Sequence, residues 1–63
     1  MEHDEKLRMI SRMERFGGSF VVALSECFLL ADSFNLNRLL TAFPEIAETY
    51  GDNGYFNKAG LKD

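Results

Sequence analysis

The chain has 63 residues, 46% of them hydrophobic and 27% charged, with a formal net charge of −3. This is the balance of a globular domain, and the length allows only one, burying about 60% of the surface its unfolded chain exposes. A large enclosed active site is excluded, and one cysteine with one histidine rules out an internal disulfide or a Cys/His structural zinc. So small a core favours association with a second copy or a partner.

The first element, about residues 3–16, carries Leu7, Met9, Ile10, Met13 and Phe16. At about 100° per residue these fall within half of the helical circumference, with Arg8, Arg12 and Arg15 near the centre of the other half. The spacing predicts an amphipathic helix, ended by Gly17-Gly18 through the left-handed conformation that glycine adopts readily. Ser19 is the expected N-cap of a second helix, about 20–31. That segment is apolar almost all round, Ser25 and Glu26 being its only polar side chains, so burial on most sides is expected.

Asp32 or Ser33 is placed to cap a third helix, about 34–42. Its Leu36, Leu39, Leu40 and Phe43 form one stripe, while Asn35, Asn37, Arg38 and Thr41 face mostly away. Pro44 disfavours helical geometry at Phe43 and suits the first position of a short fourth helix, about 44–50. Glu45 would sit at that helix's positive end, with Ile46, Ala47 and Tyr50 on its inner face. Residues 51–63 hold three glycines and no periodicity, and read as a mobile tail. The expected fold class is all-α: a three- to four-helix bundle over residues 1–50, completed by dimerisation.

The charge is unevenly distributed. Residues 1–16 and 51–63 are each neutral, whereas residues 17–50 set Glu26, Asp32, Glu45 and Glu48 against Arg38 alone. An acidic middle is poorly suited to a phosphate backbone, so nucleic acid is not an expected partner. The opening Met-Glu-His-Asp-Glu-Lys lacks the basic start and apolar core of a signal peptide. Residues 20–31 fall short of the roughly 20 apolar residues a membrane span needs. With the free Cys27, a cytoplasmic location and no membrane contact are expected.

Nothing in the chain assembles a catalytic set. His3 is the only imidazole and lies at the terminus, and Cys27 is expected to be a small buried hydrophobe with an inert thiol. The acid pairs Asp4/Glu5 and Glu45/Glu48 have no cleft, and Gly17-Gly18 has no strand before it, as a phosphate loop would need. The expectation is no enzyme, no metal and no cofactor.

Binding features are more numerous. Phe20, Val21, Leu24, Phe28 and Leu29 of the second helix are the expected self-association surface, because thin neighbouring helices cannot cover every side of it. A monomer whose other helices wrap it fully, or a groove open to a partner, are the alternatives. Arg8, Arg12 and Arg15, at i, i+4 and i+7, read as a solvent-facing stripe for nucleic-acid phosphates or an acidic protein surface, or as a merely solvated face. Tyr55 and Phe56 either fold back on the bundle or anchor a partner. The second and third helices also have the spacing of a helix-turn-helix, which makes a DNA-binding regulator the rival class, although the third helix offers one cation only.

From Gly17-Gly18-Ser19-Phe20 through Cys27-Phe28, Ala31-Asp32-Ser33, Arg38-Leu39 and Ala42-Phe43-Pro44-Glu45 to Tyr50, the chain resembles small helical proteins encoded in phages and prophages. The resemblance covers residues 17–50. It implies a setting and no catalytic residue: an accessory protein that binds a host or defence protein such as a nuclease, as an inhibitor, or a structural subunit of a phage assembly.

Overall fold

The structure is a computed structural model that describes residues 1–58. Within them the fold is all-α: α1 (His3–Phe16), α2 (Ser19–Leu30), α3 (Ser33–Ala42), α4 (Pro44–Tyr50) and the single turn α5 (Tyr55–Lys58). The core is built from Met9, Ile10 and Met13 of α1, Leu24 and Phe28 of α2, Leu36 of α3 and Ile46 of α4. Met9, Met13 and Phe28 are fully buried. The main packing is α1 against α2, with α4 packed on α1, α3 and α5.

The α1–α2 hairpin turns on Gly17, but not through left-handed geometry. Its φ of −83° and ψ of 155° are extended, a conformation open to any residue. Space is what the position lacks: a Cβ there would run into the Val21 side chain and stand 2.6 Å from the Met13 carbonyl oxygen. Rotation about χ1 moves the valine methyls but not its Cβ, 2.7 Å away, and the Met13 carbonyl already accepts the Gly17 N–H at 2.9 Å. Gly17→Ala is therefore expected to cost about 1–3 kcal/mol of stability, as overpacking does. Urea titration of the two proteins would read the change. An unchanged midpoint would mean that the hairpin can open at no cost.

The caps also depart from expectation in one place. Gly18, not Ser19, precedes the first turn of α2, and no side chain caps it. At α3 the cap is Asp32, whose carboxylate accepts the Asn35 N–H at 2.8 Å. Phe43 leaves helical geometry (φ −129°, ψ 64°) where the following proline ring crowds it, and Pro44 starts α4.

Residues 51–58, expected within a mobile tail, fold against the other helices: a turn over residues 51–54 leads into α5. Gly54 is buried where a Cβ would lie 2.6 Å from the Thr49 carbonyl oxygen, so the turn passes directly against the end of α4. Residues 59–63 of that expected tail lie outside the described residues.

The second helix is less covered than its composition suggested. Only Leu24, Ser25 and Phe28 are buried, with Val21 half-buried, a stripe at i, i+3, i+4 and i+7 that faces α1. The buried Ser25 hydroxyl donates to the Val22 carbonyl, so it adds no unmet polar group. The remainder of α2 is exposed.

Candidate functional site

The first cluster joins the two ends of the described chain. Arg8 grips both oxygens of Asp52 with one edge of its guanidinium, Nε to Oδ1 at 3.1 Å and Nη2 to Oδ2 at 2.7 Å. Arg12 donates from Nη1 to the same carboxylate at 3.0 Å and to the Tyr50 carbonyl, the last of α4, at 3.1 Å. Asn57 completes the group: its amide accepts from Arg12 Nη2 at 3.5 Å and donates to the Asp52 carbonyl at 2.6 Å. The hydrogen bonds from Arg8, followed by those from Arg12, hold the Asp52 carboxyl at a pKa of about 2.

This corrects the expected arginine stripe. Arg12 does not face solvent; it is 4% exposed. On the helical wheel it lies about 40° from Phe16 and 60° from Met9, at the margin of the apolar arc. Phe56 covers that margin, stacked on Phe16 with ring centroids 4.5 Å apart and on Tyr50 at 5.2 Å. Arg8 is half exposed but engaged by Asp52, and Arg15 lies 5.3 Å from the centre of the Phe16 ring. Of the two tail aromatics, Phe56 is part of the packing, while Tyr55 meets it edge-on and is 65% exposed.

The second cluster is apolar. On α2, Phe20, Ala23, Cys27 and Leu30 form an outward stripe at i, i+3, i+7 and i+10. Phe20 is 63% exposed and Leu30 78%; Phe34, just across the Asp32-Ser33 break, is 70% exposed. A groove of about 560 Å³ opens between α2 and α3, lined by Cys27, Leu30 and Ala31 on one side and Asn35, Arg38, Leu39 and Ala42 on the other. Phe20, nearer the start of α2, lies edge-on to Phe43 at 6.1 Å. Arg38 forms the far wall, its guanidinium 5.6 Å from the Phe34 ring centre and donating to the Asn35 amide oxygen at 3.2 Å.

The expected self-association set is thus divided. Leu24 and Phe28 point into the chain's own core and Val21 is half-buried against it, because α1 needs one face of α2 to form any core at all. Phe20 and Leu29 are exposed. Cys27, expected to be buried, is exposed on the groove. Phe34 and Arg38 were not singled out as binding residues by the sequence, although Phe34 lies opposite the Leu36/Leu39/Leu40/Phe43 stripe, a misplaced aromatic that was legible. Asp52 carried no comparable signal.

Among the described residues no three His, Cys, Asp or Glu side chains gather as a metal site, and no helix is long and apolar enough to cross a membrane. Comparison with protein-family models, curated proteins and solved structures finds no match to this chain.

Proposed function

We propose that this chain acts without catalysis, by binding protein through the apolar face of α2 and α3. The observation that carries this reading is the exposure of Phe20, Leu30 and Phe34 beside an apolar groove. Together the three leave on the order of 400 Å² of side chain in water, a patch as large as those that mark interaction sites on small proteins. The arginine cluster serves a different end in this reading, holding the turn at residues 51–54 against α1. The resemblance to phage-encoded proteins supplies a setting: an accessory protein that covers a surface of a host or defence protein, such as a nuclease.

The test is a photoreactive residue placed at Leu30, with a control at the exposed Glu48 on α4. Irradiation in the cell that makes the protein is expected to give discrete protein adducts from position 30 and none from 48. Phe34→Glu should abolish them without loss of helicity. Equal labelling from both positions, or none from position 30, removes the reading.

A further inference from the structure

We propose that the groove between α2 and α3 is filled by α2 of a second copy of this chain, in a two-fold pair with Glu26 of each copy set against Arg38 of the other. The proposal rests on the binding role just assigned to this face and names its occupant.

Three features converge on a second copy. The first is shape. A two-fold contact requires one patch to be complementary to itself, and this face carries both a ridge, the Phe20–Leu30 stripe of α2, and the groove beside it. A rotation by half a turn sets each ridge into the other groove.

The second is charge. Glu26 is the one ionised side chain of α2, on its exposed side, and Arg38 is the one ionised side chain of α3 and forms the groove wall. Among the described residues neither has an ion-pair partner. A helix laid in the groove would bring its Glu26 to the rim where Arg38 stands, and two-fold symmetry makes that pairing twice. Across an interface such pairs set register and discriminate against wrong partners more than they raise affinity.

The third is area. The roughly 400 Å² of Phe20, Leu30 and Phe34 is about half of the 800 Å² per partner of a standard stable interface, and the groove walls beside them add to it.

Static light scattering on the purified chain, from low to several hundred micromolar, tests this directly. The wild type is expected to reach twice 7.2 kDa. Glu26→Arg and Arg38→Glu should each raise the dissociation constant about 3–10-fold, and the double reversal should return it to within about twofold of wild type, the signature of a direct pair. Leu30→Glu, at an exposed position, should give a folded monomer. A wild-type monomer at every concentration overturns the proposal, as does a dimer indifferent to both reversals. If the monomer still yields adducts with other proteins from position 30, the binding role stands and only the second copy falls; if it yields none, both fall.

Discussion

Replacing Asp52 by alanine is expected to lower the unfolding free energy by about 2–3 kcal/mol, out of a total of roughly 3–9 kcal/mol for a chain of this length. The loss arises at Arg12, not at Arg8. Arg8 is half exposed, and pairs of that kind contribute about 0–1 kcal/mol. Arg12 is buried, and removing Asp52 takes away the carboxylate that accepts from its Nη1 at 3.0 Å. Urea unfolding followed by circular dichroism would measure the difference, and Arg8→Met should show the smaller effect. The pH dependence has a definite sign. Because the folded-state pKa of Asp52 is depressed to about 2, the stabilisation is fully present above the ordinary carboxyl value of 3.8 and is lost as pH falls through 2. Wild type and Asp52→Ala should therefore differ at neutral pH and converge in that acid window. A constant gap down to pH 2 would mean that the carboxylate's charge contributes nothing.

Phe28→Ala is expected to have the largest effect, about 3–5 kcal/mol, enough to unfold much of the population at room temperature. Phe28 is fully buried at the junction of α1 and α2, and the small core around it has few side chains able to collapse into the cavity. Two residues further on, Leu30→Ala should change the stability of the monomer by no more than about 0.5 kcal/mol, since Leu30 is 78% exposed. Thermal melts at low concentration compare the two without contribution from association. Equal losses at both positions would show that α2 presents a different face to α1. The contrast separates the part of α2 that makes the fold from the part left for binding.

The division of α2 into those two faces was the feature least legible in the sequence. The periodicity of α1, α3 and α4 identifies an inner side because polar residues occupy the outer one. In α2 nearly every position is apolar, so the helical wheel gives no preferred direction, and the choice falls to the hairpin at Gly17 and the covering surface of α1. Cys27 and Leu24 are equally apolar to a sequence reading; the fold buries Leu24 and exposes Cys27. Arg12 was misplaced for a related reason. Its position beside Phe16 and Met9 mattered only once Phe56 folded back onto α1; the sequence offers fold-back for that aromatic without saying which face it would cover. The boundary at Pro44 and a cap at Asp32 or Ser33 depend on local chemistry alone and were readable, the structure choosing Asp32.

The bond between Arg12 and Asp52 spans 40 residues of sequence. The α1–α2 hairpin joins segments adjacent in sequence, whereas closing so long a loop is entropically slow. On refolding, the hairpin is therefore expected to form first, and Arg12 to be desolvated last, when the turn at residues 51–54 docks on α1. Hydrophobic assembly and the locking of that turn are then two events in time that the finished molecule shows as one.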